Sequence, residues 1–493
     1  MNTYLLGIDI GTSACKAALF DTNGVVAAQS SVEYSVNHPH PGWAEQDPQT
    51  WWNAACTAVK HALSQIPSAS VAGVGIAGQS WSAIPLSSAG EVLCPTPIWM
   101  DTRATAICNN IRTSIGEDAI FEICGNPLQP TYSLPKVLWY KQNLPDVYAR
   151  ADKILQSNSY IAYCLTGEIS QDISQGYGFH CFNVHTGQWD DSLCKEIGLR
   201  RSLLPSIVNS HEIIGKVTAT AAAACGLTEG IPVVAGGLDA ACGTLGAGVL
   251  EDGQTQEQGG QAGGMSICTK KSLADPSLIL GFHVVPKRWL LQGGTVGGGG
   301  ILRWLNNVIP PQIIHQNAFA EMDKLANKTP AGCDGLIFLP YMAGERSPIW
   351  NANAKGVFYG LDYGKTQGHM IRSCMEGVAF SLKHNLVVAE QAGANAERLR
   401  AMGGAANSHL WTQIKSDITG KPIDVPASDT ATTWGAAMLA GVATGVYKDF
   451  ATAVKQTVKL HRTHTPNSEN SGVYDAAFEM YLAVYNNLQP LMR

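Results

Sequence analysis

Four short stretches carry residue types suited to moving a phosphoryl group. The first is Asp9-Ile10-Gly11-Thr12-Ser13, with Lys16 behind it. Gly11 lets the backbone approach a phosphate, and the hydroxyls of Thr12 and Ser13 can donate to its oxygens. Asp9 can hold Mg²⁺, directly or through water, because hard cations prefer carboxylate oxygen. The same residues would also make an ordinary hairpin turn. The second stretch is Gly236-Gly237-Leu238-Asp239-Ala240-Ala241-Cys242-Gly243. An acid directly after an apolar strand and two glycines lies at the strand's carboxyl end, where α/β proteins bind ligands. There it can accept a hydroxyl proton during phosphoryl transfer, and it can equally cap a helix. In the third, Glu257-Gln258-Gly259-Gly260-Gln261-Ala262-Gly263-Gly264, four glycines in six positions expose backbone N–H groups as an anion nest. Met265 and Ile267 follow at once, which argues against a flexible surface loop. The fourth, Gly403-Gly404-Ala405-Ala406-Asn407, allows close approach of a flat ring such as adenine, or simply tight packing.

These stretches need strands and helices to aim them. The chain opens with a strand at 4–10, a Gly-Thr-Ser turn and a strand at 15–20. Asn23-Gly24 marks a hairpin into a strand at 25–30. A capped helix is expected over 47–64, a buried strand over 71–77 and a short strand over 97–99. Residues 104–165 read as mostly helical, punctuated by prolines at 127, 130, 135 and 145. An apolar strand at 232–237 leads to Asp239. Glycine-rich loops fall at 259–264 and 293–300, the second before an amphipathic helix at 301–308. Further on come a strand at 336–340, a long helix over 366–389, a strand at 399–402, and helices over 409–419 and 432–445. Strand-and-turn units near residue 10 and again near 240–265 suggest two similar α/β halves facing a cleft, divided near residue 245 into segments 1–245 and 246–493.

Composition bounds the rest. The 493 residues carry 33 Lys+Arg against 39 Asp+Glu, a net charge of −6, and are 45% hydrophobic, so large cores are available and disorder is excluded as the main state. The mild acidity, without basic clusters interleaved with aromatics, argues against a general nucleic-acid or membrane-surface role. The 13 cysteines form no CxxC pair and their number is odd, which reads as free thiols in a reducing cytosol. The N-terminus carries Asp9 and Lys16 and lacks a basic leader, so a cytoplasmic protein is expected. The histidines show no metal-binding spacing.

Taken in order, the motifs resemble the FGGY family of carbohydrate kinases, nearest its xylulokinase branch, over nearly the whole chain. Gly7-Ile8-Asp9-Ile10-Gly11-Thr12-Ser13 is similar to the first phosphate loop. Gly42-Trp43-Ala44-Glu45-Gln46-Asp47-Pro48 with Trp51, and Trp99-Met100-Asp101-Thr102-Arg103, are similar to the family's N-terminal stretches. Leu339-Pro340-Tyr341-Met342-Ala343-Gly344-Glu345-Arg346-Ser347-Pro348 and Gly356–Leu361 with His369 and Glu376 resemble its C-terminal ones, and Ser133, Lys136, Val137 and Trp139 partly match a further signature. The resemblance implies two ribonuclease-H-like domains of the actin and hexokinase type around a central cleft. Sugar would bind mainly to the first and ATP to the second. It implies transfer of a phosphoryl group from ATP, with Mg²⁺, to a small sugar such as D-xylulose; another ketose, a polyol or a sugar acid, or a non-catalytic sensor of the same fold, are the alternatives. Asp239 falls on the catalytic aspartate, and Asp9, with Asp239, on the metal side. Gly11, Thr12, Ser13, Lys16, Gly260, Gln261, Gly299, Gly300, Gly403, Gly404, Ala405 and Asn407 fall on the nucleotide side. Gln79, Ser80, Trp81, Asp101, Arg103 and Asp239 fall on the sugar side. Homodimers are common in the family. Two departures stand out: Gly78-Gln79-Ser80-Trp81-Ser82 replaces the usual Gly-Gln-Met-His-Gly, and Gln261-Ala262 replaces the hydroxyl pair of the second phosphate loop.

Overall fold

A computed structural model describes residues 3–66, 70–308, 318–428 and 430–493. The first domain is built on strands β1 (Thr3–Ile10), β2 (Ala14–Asp21) and β3 (Val26–Glu33), an antiparallel meander. Helix α1 (Pro48–Ser64) follows, and then β4 (Ser70–Gly78), β5 (Ile213–Lys216), β6 (Pro232–Val234) and β7 (Gly237–Leu238). The sheet order is β5-β6-β4-β1-β2-β3, with β4 parallel to β1 and both β6 and β7 parallel to β4. Helix α2 (Asp239–Gly246) leads out of this sheet.

The second domain repeats the plan with β8 (Gln254–Gly259), β9 (Gly263–Thr269), β10 (Ile279–Phe282) and β11 (Trp289–Thr295), then α3 (Gly299–Val308) and α4 (Gln367–Gln391). It closes with β12 (Arg398–Met402), α5 (His409–Thr419), β13 (Ile423–Pro426), α6 (Ala431–Ala443) and β14 (Leu460–His464). Its order is β10-β11-β9-β8-β12-β13-β14, with β8, β12 and β13 mutually parallel in sequence across the sheet. Both sheets thus run from an antiparallel meander through their first strand into two parallel strands. This is the ribonuclease-H-like plan, twice.

Local chemistry explains the elements. Asp47 caps α1, its side chain accepting from Gln49 N at 2.9 Å, and Pro48 occupies the first turn where its missing N–H is harmless. Such a cap contributes about 1 kcal/mol. Trp51, Ala54, Ala55, Ala58, Val59 and Ala62 recur at helical spacing and bury one face of α1 beside Leu6, Ile8 and Ile10. Side chains alternate along β1, so Leu5, Gly7 and Asp9 point to the other face, which α6 covers. Glycine is required there: a Cβ on Gly7 would lie 1.9 Å from Thr433 O, and one on Gly75 1.8 Å from Ala436 O. Asp9 emerges just beyond that contact.

Within 104–165 the structure inserts a strand, Ala151–Leu155, between helices Pro145–Arg150 and Ser157–Thr166; it pairs antiparallel with Ile84–Ser87. Five residues are too few for a period to show, and the long-range partner decides their conformation. The strand expected at 97–99 is only Thr96–Pro97. Gly293 and Gly294 belong to β11, not to a loop. All 13 cysteines are free and 11 are buried.

Candidate active site

Asp239 stands at the start of α2, directly after β7, and its carboxylate accepts from Ala240 N at 2.7 Å. Burial pushes its pKa up to about 6. Asp9, at the exit of β1, is raised to about 7 by burial and by the neighbouring Asp239 charge, with Lys16 opposing. One oxygen of Asp9, Oδ1, is buried without a hydrogen-bond partner among the described residues. An orphaned carboxylate oxygen beside a second carboxylate fits a divalent cation that takes one or two protein carboxylates and completes its shell with water and phosphate oxygens. No cluster of three or more His, Cys, Asp or Glu side chains suited to a metal occurs among the described residues. Asp9 and Lys16 line one cavity of about 400 Å³, together with Ser31 and with Thr430, Thr432 and Thr433 at the start of α6.

The first turn is held from outside. Gly11 N donates to Ala14 O at 3.1 Å, Tyr34 N to Ser13 O at 2.9 Å and Tyr34 Oη to Gly11 O at 2.7 Å. Ser13 and Lys16 are exposed. Thr12 Oγ1 accepts from Trp99 Nε1 at 2.8 Å and donates toward Gln79 Oε1 at 3.4 Å, which ties the first turn to Trp99 and Gln79.

On the nucleotide side, Gly260, Gln261, Gly299, Gly404, Ala405 and Asn407 line a single cavity of about 580 Å³, together with apolar Leu302 and Phe319. That size and mixed lining suit a nucleotide. Gly300 and Gly403 are not part of its lining. Gly300 N donates to Gln261 O at 3.0 Å, and Gly299 N to Gly260 O at 2.7 Å, so the second turn docks on the start of α3. The Gln261 amide oxygen accepts from Arg303 Nη1 at 3.0 Å. The substituted side chain therefore braces the turn through its amide oxygen, which leaves the amide NH2 as the end that can donate to a phosphate.

A third cavity, about 130 Å³, lies between the domains. Asp239, Ser80, Trp81 and Tyr177 line it from the first domain, Gln258, Gln292 and Arg346 from the second. Trp81 has φ +60°, the left-handed region, costly for a bulky residue. Stacking on Tyr132 (centroids 4.1 Å apart, planes 18°) and the Lys136 ammonium, donating to Trp81 O at 2.8 Å and Ile98 O at 2.7 Å, hold it there. Lys136 is fully buried, and its pKa is lowered to about 7 by that burial. The Trp81 indole N–H faces the neighbourhood of Tyr177 but completes no hydrogen bond of normal geometry among the described residues.

Three expected sugar contacts lie elsewhere. Gln79 is buried, its amide donating to Gln46 Oε1 at 2.9 Å and to Gly11 O at 3.4 Å. Asp101 is fully buried. Its carboxylate accepts from Ala44 N at 2.7 Å and from Arg103 Nη2 at 2.8 Å, and Arg103 also bridges to Glu45 at 2.8 Å and lies 3.8 Å over the Trp43 ring. With these hydrogen bonds made internally, the three brace the loops and line none of the three cavities. Trp99 and Arg346 were visible inside the Trp-Met-Asp-Thr-Arg and Gly-Glu-Arg-Ser-Pro motifs without being singled out. Tyr177 and Gln292 carry no sequence signal, since they reach the cavity only through tertiary packing.

Comparison with known proteins agrees with this geometry. The profile described as "FGGY family of carbohydrate kinases, N-terminal domain" matches residues 4–246, and its C-terminal counterpart matches residues 263–444. The chain is 31% identical to the xylulose kinase of Escherichia coli (strain K12), covering 99% of both chains. The crystal structure of xylulose kinase from Rhodospirillum rubrum superposes with a TM-score of 0.92 at 29% identity over 99% of both chains. That of gluconate kinase from Lactobacillus acidophilus gives 0.92 at 26% identity, over 99% of this chain and 98% of that one. Two ribonuclease-H-like lobes, a glycine-lined cavity and an acid at a strand end, matched from end to end, make this chain a member of the FGGY family of carbohydrate kinases.

Proposed function

We propose that the protein transfers the γ-phosphoryl group of ATP to a hydroxyl of a pentulose such as D-xylulose, with Asp239 as the base. The observation that carries this reading is the place of Asp239, on the wall of the interdomain cavity and close enough to Asp9 to raise its pKa. A carboxylate raised to about 6 is ionised at neutral pH yet a better proton acceptor than an ordinary aspartate. It accepts the hydroxyl proton as the new bond to phosphorus forms. Such a base contributes on the order of 10²–10⁴ in rate. Asp9 would hold Mg²⁺, which when bound neutralises phosphate charge. Ser13, Lys16 and the backbone N–H groups of the two turns orient the phosphates, and Gly404, Ala405 and Asn407 border the base and ribose. Closure of the two lobes excludes water from the transfer.

ADP release with Mg-ATP across ketopentoses, polyols and aldonic acids, beside Asp239→Asn, tests the reading. Turnover of D-xylulose, with kcat lowered at least ~10²-fold by the substitution, is the expected result. Binding of ATP without sugar-dependent ADP release by the wild type would refute it in favour of a sensor. A sugar acid such as gluconate is the second reading. It is favoured by Trp81, whose single N–H donor and stacking face replace the two-nitrogen pattern of an imidazole, and by the equal superposition on a gluconate kinase.

A further inference from the structure

We propose that Arg346 neutralises the phosphoryl group in transit, its guanidinium donating to the oxyanion that passes from the nucleotide to the acceptor. This rests on the kinase reading above. Arg346 lines the interdomain cavity with Asp239 and with Gly263 and Gly264 at the exit of the second turn. It is fixed from behind: its backbone N donates to Glu345 Oε1 at 2.8 Å, Val296 N donates to the same oxygen at 2.6 Å, and Arg346 Nη2 donates to Thr295 O at 3.2 Å. Gly294 makes the berth, since a Cβ there would lie 3.0 Å from Arg346 Cζ. The guanidinium lies 5.7 Å from the ring of Trp99, whose N–H holds Thr12 in the first phosphate turn. Trp99 thus stands between a cation of the second domain and the first turn.

Among the described residues the guanidinium makes no side-chain hydrogen bond. Among the described residues no carboxylate reaches ion-pair distance, and Nε is buried without an acceptor. Arginine stays charged under these conditions, and a desolvated guanidinium with an unused donor is costly until an anion completes it. The second turn has a deficit of the matching kind: Gln261-Ala262 stands where the family's loop carries a pair of hydroxyl donors, and Ala262 has none. In the transfer, the acceptor oxygen forms its bond to phosphorus, the bond to the β,γ-bridging oxygen breaks with its electron pair leaving on ADP, and the hydroxyl proton passes to Asp239. Arg346 changes no covalent bond. It offers N–H donors to oxygens whose charge is redistributed during the step.

The test compares wild type, Arg346→Gln and Arg346→Lys by calorimetric titration with MgADP, with the acceptor that the wild type turns over, and with MgADP, aluminium fluoride and that acceptor together. Thermal midpoints and kcat and KM are measured alongside. Arg346→Gln is expected to bind MgADP and acceptor separately within about threefold of wild type. It should lose on the order of 10²-fold both in affinity for the aluminium fluoride complex and in kcat, with part of each recovered by Arg346→Lys. Unchanged affinity for the aluminium fluoride complex overturns the proposal. So does a loss confined to binding of an aldonic acid, which would make Arg346 a reader of acceptor carboxylate. A lowered midpoint with lost MgADP binding in both variants would make it structural. Failure of the wild type to turn over any acceptor refutes the kinase reading itself.

Discussion

Asp9 and Asp239 are both raised above the ordinary aspartate value of 3.8, and both roles need the ionised form. Asp239 must be ionised to accept a proton, so kcat/KM is expected to fall tenfold per pH unit below about 6, where the carboxyl protonates. A profile flat down to pH 5 would remove Asp239 as the base. Asp9 must be ionised to hold a cation, and the cation in turn favours its ionised form. Without metal, the folded chain holds a proton on Asp9 that the unfolded chain has already lost at the same pH. The resulting destabilisation is full above about pH 7 and fades as pH falls toward 4. Asp9→Asn is therefore expected to raise the thermal midpoint at pH 8 and to give a shrinking difference toward pH 5. Mg²⁺ should raise the midpoint of the wild type at pH 8 and not that of the variant, which scanning fluorimetry reads directly.

At the scale of elements, the site depends on how closely α6 lies on β1 and β4. Gly7 and Gly75 let the helix backbone touch the sheet, and a Cβ on Gly435 would lie 1.8 Å from Cys242 O, so α6 meets α2 backbone to backbone as well. α2 begins with Asp239, and α6 begins beside Asp9 and Lys16. The contact therefore places the two carboxylates as much as their own strands do. Gly75→Ala is expected to cost at least about 1–3 kcal/mol in urea unfolding, because a methyl group must displace Ala436 backbone rather than a side chain. A neutral substitution would show that the helix can lift away freely.

Across the whole molecule, the largest core joins the two lobes. It runs from Leu5 and Phe20 in the first sheet through Phe182 and Trp189 to Cys268, Phe282 and Leu290 in the second, and takes in Trp434 and Met438 of α6. Ring pairs such as Phe182 with Phe282, at 5.7 Å, cross between the lobes. A segment late in the chain thus closes the core of the first domain. Unfolding is expected as one cooperative transition in calorimetry despite 493 residues. Two resolved transitions would mean that the lobes are held together more weakly than this core implies.

The sequence by itself determined the elements whose period is long or whose punctuation is chemical. The hairpin around Gly11, the Asp47-capped helix and the helix at 409–419 were legible because capping, turn geometry and amphipathic spacing are local. It also determined the family, through motifs that recur in order along nearly the whole chain. Only the tertiary structure decided which polar residues are free to meet a ligand. Gln79, Asp101 and Arg103 stand in motifs like their unpaired neighbours, yet their hydrogen bonds are spent on residues up to 68 positions away in the chain. Trp99, Tyr177, Gln292 and Arg346 reach the cleft because strands and loops distant in sequence converge there. A buried polar group must find partners, and whether those are protein or ligand is settled by contacts that no local spacing encodes.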